Sequence, residues 1–469
     1  MQAQPQPIDV AAELWGLAGG DPSQLDSLTI AGPRLVLPSV FAVTAAASGA
    51  VGAALLAIAE FAGARRGEGT APVEVDSRHA TLSFADERHV QVDGDRPAIW
   101  ADLSGYYETS DGWLQIHANF VHHSSRALAG LGLGEDSTRE MVEAELRSRT
   151  SVEAEQAIVA NDGVASAFRS RQEWLEHPHG RHLANTSPLV ITEHRGDSAL
   201  RPQDDQQSSA RLLSGVRVLD LSRILAGPVA ARTLAAFGAD VIRLGAEHLP
   251  THELSVALTA VGKRFAHLDL RQEQDRLRFF DLVTSADVVL TGFRPDSLEK
   301  LGVSDAAIRG AQPNIVHARL SAFGTTGPWG GRRGFDSITQ TASGIAHEAM
   351  LAAGADRPTP LPCQLLDYAS GYLLAAGIAR SLTQRLTSGA GYDVDVVLAR
   401  TGLWLDGLGR VEGGLEAKSP SDVSDLQVDR DTPYGRLTHM RQPGTIGGQP
   451  GVWPIGPELP GQSQPTWPS

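Results

Sequence analysis

The chain has 469 residues, 42 % of them hydrophobic, with 40 Lys and Arg against 55 Asp and Glu for a net charge of −15. This length supports a large core in more than one unit, and 49 glycines and 27 prolines spread along it exclude disordered, fibrous and small disulfide-stapled classes. The acidic balance opposes a broad nucleic-acid or anionic-membrane surface, and the single cysteine, Cys363, excludes an internal disulfide and cysteine-rich zinc or iron–sulfur centres.

Met1-Gln2-Ala3-Gln4-Pro5 carries no cationic stretch leading into an apolar one, so no secretory leader is expected and the chain is placed in the cytoplasm. Residues 40–64 are long enough to cross a bilayer and carry one charge, Glu60. They are mainly Ala and Gly with few Leu or Ile, which predicts a close-packed buried helix and no membrane span. Residues 106–116 flank an Asp111-Gly112 step, which predicts a strand pair joined by a tight turn, and helices are expected over 138–176. From 192 to 212 apolar periodicity is lost, as in a linker.

From Gly215 the pattern changes. Val216-Arg217-Val218-Leu219-Asp220-Leu221 reads as a buried strand, Ala226-Gly227-Pro228 as a turn opening an Ala-rich helix, and 239–244 as the next strand. Further buried strands are expected at 265–270, 286–290 and 315–320, with helices between them, as a parallel doubly wound sheet requires. The predicted fold class is α/β: a small α+β domain over 1–200, a linker over 201–212, a Rossmann-like parallel-sheet domain over 213–412, and a Pro/Gly-rich wrap over 413–469. A partial internal echo links Ala47-Ser48-Gly49, followed by Val75-Asp76, with Ala369-Ser370-Gly371, followed by Val394-Asp395; in it Asp367 aligns with Ala45.

The strand-turn-helix at Leu221 to Pro228 points free amides and a positive helix end toward the carboxyl edge of a parallel strand, where anionic nucleotides bind. No Gly-x-Gly-x-x-Gly fingerprint follows the strand, so a purely structural turn is an equal reading. His117, His122 and His123 with Asp111 lack ligand spacing, the adjacent pair being expected on opposite faces of a strand, and no metal is expected. Cys363 reads as a packing residue.

The blocks Gly215 to Pro228, Gly262-Lys263-Arg264, Ala286-Asp287-Val288-Val289 with Phe293-Arg294-Pro295, Ser321-Ala322-Phe323-Gly324, Gly334-Phe335-Asp336 and Asp367 occur in one order. Together they resemble the family III CoA-transferases (the CaiB/BaiF family), which include formyl-CoA and carnitine CoA-transferases. Residues 106–116, with Glu173-Trp174-Leu175 and His177-Pro178, resemble that family's small domain, so the order looks permuted and the first copy of the large-domain end degenerate. The resemblance implies CoA transfer from an acyl-CoA donor to a carboxylic acid acceptor, with Asp367 as nucleophile through an aspartyl anhydride and an aspartyl-CoA thioester.

By position the resemblance puts Arg223, Ile224, Ala226, Arg243, Lys263, Arg264, Phe293, Lys300 and Arg333 against CoA. It implies a homodimer, with CoA compounds as substrates and no tightly bound cofactor. At a helix start, Asp367 is expected to be held ionised by the helix dipole, although simple capping is the alternative. The family's Asn-Phe step reads Gly292-Phe293 here. The related α-methylacyl-CoA racemases carry Gly-His-Asp where this chain has Gly334-Phe335-Asp336, and Phe335 moves no proton. A racemase or epimerase and an inert CoA-binding partner subunit are the alternatives.

Overall fold

The computed structural model describes residues 4–194 and 211–468, so the 201–212 linker lies almost wholly outside the described residues. The large sheet contains β1 (Leu189–His194), β2 (Arg217–Leu221), β3 (Asp240–Gly245), β4 (Lys263–His267), β5 (Val288–Thr291), β6 (Val316–Ser321) and β7 (Gly391–Val397). Their spatial order is β4-β3-β2-β5-β6-β7-β1. The strands β2 to β7 run parallel, and β1 closes one edge antiparallel to β7, bringing N-terminal residues into this sheet. Every residue of β5 is buried, as an unbroken apolar run flanked by helices on both faces demands. The order reverses between β2 and β5, which opens a crevice beyond their carboxyl ends.

Three helices meet behind that crevice: α1 (Val43–Arg66), α2 (Ala226–Ala236) and α3 (Leu365–Ser388). Residues of all three share one hydrophobic core, among them Leu55, Val229 and Leu374. The apolar helix foreseen at 40–64 is α1, and it is buried inside the protein from Val43 to Ala59 and again from Phe61 to Gly63. Its single interior charge, Glu60, is paired with Arg380 of α3. Ala45 and Asp367 are each the third residue of a 24-residue helix.

Small residues set the approach of α3. A Cβ on Gly371 would lie 2.6 Å from the Ala226 carbonyl oxygen and 2.9 Å from the Val229 side chain. Glycine there lets α3 rest directly on the start of α2, and one turn earlier it places Asp367 over the β2–α2 turn. Phe84 stacks on Tyr368 at 5.2 Å, and its carbonyl accepts the Gln364 N–H at the head of α3.

The strand pair foreseen at 106–116 is Gly105–Glu108 with Trp113–Ile116, extended by Ala165–Ala167 into an antiparallel sheet. Its own core includes Tyr107, Leu114, Leu128 and Ile158. Arg332 ties it to the large sheet's carboxyl side, donating 2.7 Å to the Ala165 carbonyl and 2.8 Å to Glu155. The tail contains a hairpin, Gln427–Thr432 with Gly435–Met440, paired to Gln91–Val92. Met440 N–H donates to Asp86, which also pairs with Arg232 of α2.

Candidate active site

The crevice is a cavity of about 870 Å³ lined by the loops after β2, β3, β4, β5 and β6 and by the helix Val121–Leu131. Of the residues matched to CoA contacts, Arg223, Ile224, Ala226, Phe293 and Arg333 line it, as does Asp367. The β2–α2 turn is held from beneath. Asp220 accepts the Ser222 N–H at 2.9 Å and takes the Lys263 Nζ at 2.7 Å, while Lys263 also donates 2.8 Å to the Pro228 carbonyl. Gly227 is required here, since a Cβ would sit 2.4 Å from that of Ser222. Ile224 has φ +69°, a left-handed conformation that a β-branched residue adopts only under constraint, and such strain collects at ligand-binding turns.

The remaining matched residues do not reach the cleft. Lys263 is fully buried in its pair with Asp220. Arg243 is buried with its guanidinium 4.6 Å over the Phe265 ring. Arg264 lies on the opposite strand face, 3.8 Å from Asp240, and Lys300 is solvent-exposed 3.9 Å from Asp296. Strand alternation sends Lys263 and Arg264 to opposite faces, and the interior side is filled by the β2–α2 turn. Gly292 occupies the family's Asn position where a Cβ would already come within 3.2 Å of Ser222.

Other cations stand where sequence reading had not placed them. Arg126 and His122 line the cleft from the helix Val121–Leu131, and Arg294 from the loop after β5. His122 and His123 are thus helical and both line the cleft, correcting the expectation of opposite strand faces. The i, i+4 spacing of His122 and Arg126 is the signal that sets them on one helix face. Burial, Arg243 and Arg333 push Arg223 down to about 10; burial, Arg294 and Arg126 do the same to Arg333. Asp162 is the carboxylate paired with Arg294, at 3.1 Å, and with Arg333, at 4.0 Å; no other ion pair to this arginine cluster occurs among the described residues. Arg126 Nη1 and Arg333 Nε have no hydrogen-bond partner among the described residues. Mutually repelling guanidiniums with so little compensation form a ready anion site.

Asp367 is 7 % exposed. The expected ionisation by the helix dipole is overturned. Burial, reinforced by Asp336 and Glu87, raises the Asp367 carboxyl well above its ordinary value. The amides at the head of α3 serve Asp336 instead: its Oδ2 accepts the Asp367 N–H at 3.0 Å, and Gln340 donates to Oδ1. Burial still lifts Asp336 to about 6. Phe335, where racemases carry histidine, stacks 3.8 Å from His117.

Residues 213–423 match the sequence profile described as CoA-transferase family III. This segment is similar to that family. Its domain is 35 % identical over 205 residues, 40 % of this chain and 51 % of the relative, to a Mycobacterium tuberculosis protein named a probable fatty acyl-CoA transferase, Rv3272. It is 33 % identical over 200 residues, 39 % of this chain and 46 % of the relative, to the succinyl-CoA–L-malate CoA-transferase alpha subunit of Chloroflexus aurantiacus. A crystal structure of Rv3272 has 34 % identity and a TM-score of 0.40 over 42 % of this chain and 56 % of that one. The chain spans about half the length of the curated relatives it matches.

Proposed function

We propose that the chain moves CoA from an acyl-CoA donor to a carboxylic acid acceptor through Asp367. The observation that carries this reading is the position of Asp367, at the head of α3 and on the wall of a cleft rimmed by four arginines that share one paired carboxylate, Asp162, among the described residues. CoA is a polyanion, and Arg126, Arg223, Arg294 and Arg333 supply the complementary charge. An Asp367 carboxylate oxygen attacks the donor thioester carbonyl, the C–S bond breaks, and CoA leaves as thiolate, giving a mixed anhydride. The thiolate then attacks the Asp367 side-chain carbonyl and expels the donor acid as carboxylate, leaving an aspartyl-CoA thioester. An acceptor carboxylate repeats the exchange in reverse, restoring Asp367. Protons balance throughout, since carboxylate and thiolate alternate as nucleophile and leaving group.

The test is peptide mass spectrometry after mixing with acyl-CoAs and quenching in hydroxylamine, which converts an activated aspartyl group to a hydroxamate. A substrate-dependent hydroxamate at Asp367 supports the covalent route. Asp367 unmodified while acyl-CoA binds and CoA moves between acids overturns it.

The arginine cluster makes a separate prediction. Arg333→Ala is expected to raise KM for acyl-CoA about 10- to 100-fold, the equivalent of losing one charge-assisted contact, with a smaller effect on kcat. Steady-state kinetics across a salt series checks it. KM should rise less steeply with salt in the variant than in the parent protein.

A further inference from the structure

Asp367 also lines a second, smaller cavity of about 70 Å³. Phe120, Ile224, Leu225, Phe335 and Asp367 line this chamber and the cleft alike, so they form the partition between the two spaces. On the proposed route, an acyl group carried by Asp367 has the cleft on one side for CoA and the chamber on the other.

The wall that a ligand would meet is mainly apolar. Ile99, Trp100, Leu254 and Leu258 line the chamber together with the rings of Phe120 and Phe335. The polar groups around it are sealed or already bonded. The carboxyl oxygens of Glu87, His117 Nδ1 and Ser337 Oγ are enclosed within the protein and do not reach the space. Asn119 accepts the Ser104 hydroxyl at 2.6 Å and the Ala101 N–H at 3.1 Å and donates to the Ile99 carbonyl at 2.9 Å. His252 Nδ1 lies 3.1 Å from Ser255 Oγ, and Asp336 holds the Asp367 N–H and Gln340.

Charge and size narrow the ligand. Among the described residues no Arg or Lys lines the chamber. Burial lowers His117 to about 3 and holds His252 below its ordinary value, so neither supplies a positive charge at neutral pH. Asp336 and Glu87 already oppose ionisation of Asp367. An acyl group bearing a second carboxylate would add another acid here and lose its hydration with no cation in exchange. At 70 Å³ the chamber has about half the ~150 Å³ of an apolar cavity that holds benzene, which leaves room for about three carbons beyond the reacting carbonyl.

Resting on the reading of Asp367 as acyl carrier, we infer that this chamber is the acyl-group subsite and that Ile99, Leu254, Leu258, Phe120 and Phe335 select a short, uncharged hydrocarbon acyl group. The test compares acetyl-, propionyl-, butyryl-, dodecanoyl- and succinyl-CoA as donors to one acceptor, reading kcat/KM and hydroxamate at Asp367. From acetyl to butyryl each added methylene should raise kcat/KM about fourfold, as apolar burial requires. Dodecanoyl-CoA, too long for the space, should fall below butyryl-CoA by about tenfold or more. Succinyl-CoA, which differs from butyryl-CoA by its terminal carboxylate, should fall below it by about 100-fold or more. Ile99→Arg sets a cation on the chamber wall and should raise the succinyl-to-butyryl ratio about tenfold or more. Succinyl- or dodecanoyl-CoA used as well as butyryl-CoA by the parent protein, with Asp367 still labelled, overturns the chamber assignment alone. Asp367 unlabelled by every donor while CoA moves between acids overturns both readings. The ratios in the parent protein decide the matter even if the variant fails to fold.

Discussion

Asp367→Asn is expected to lower CoA transfer by at least ~10⁴-fold while raising, not lowering, the melting temperature at pH 8. On the proposed route the loss of rate follows from removing the nucleophile, because an amide of the same shape cannot form the anhydride. The gain in stability follows from burial. A carboxyl whose folded pKa lies above its ordinary 3.8 holds its proton more tightly when folded than when unfolded, so folding weakens as pH rises from that ordinary value toward the folded one. Asn has no such penalty. Thermal melts of the two proteins should therefore differ at pH 8 and converge as pH falls toward 4. A variant that loses activity and also melts lower at pH 8 would mean that Asp367 is a structural cap, with its carboxylate bonded to the helix head.

On the proposed route the same buried pair sets the pH dependence. Attack needs a carboxylate at Asp367, yet Asp336 beside it titrates at about 6 and opposes a second negative charge. The rate should rise with pH through the upper apparent pKa of the pair. Asp336→Asn keeps an oxygen to accept the Asp367 N–H and removes the neighbouring charge. The acidic limb of the kcat/KM profile is expected to move to lower pH in that variant, which a rate–pH series measures directly.

Much of this site is legible along the chain because it depends on local order. The run ending at Thr291 is buried on both faces, as in a sheet covered on both sides, and the strand reversal beside it fixes where the cleft opens. Asp367 heads a helix whose Gly371 sits one turn on, so its position over the β2–α2 turn follows from spacing. What is not legible depends on distant contacts. The sequence places an acid at a helix start but not Asp336 on the same amides, and that neighbour, with burial, reverses the expected ionisation of Asp367. Arg126 reaches the cleft from a helix more than two hundred residues before α3 in sequence, and no local pattern ties the two together.

Lys263→Met is expected to destabilise the fold by about 3–5 kcal/mol, the cost of leaving one member of a buried ion pair without its partner. Lys263 and Asp220 are both fully buried and 2.7 Å apart, and the same ammonium group donates to the Pro228 carbonyl. Without it, Asp220 keeps its bonds from Ser222 but not its counter-charge, and the turn carrying Arg223 and the strained Ile224 loses its support from below. Thermal melts should show the effect with no ligand present. The double variant Lys263→Met/Asp220→Asn should recover part of the loss, because it removes the stranded charge along with the pair. A direct contact to CoA phosphate predicts something different: an unchanged melt, a raised KM, and no rescue by the second substitution. The geometry favours the first outcome, since no part of the Lys263 side chain is exposed to the cleft. In this fold the lysine holds the turn from below, while Arg223 and Arg333 line the cleft above it.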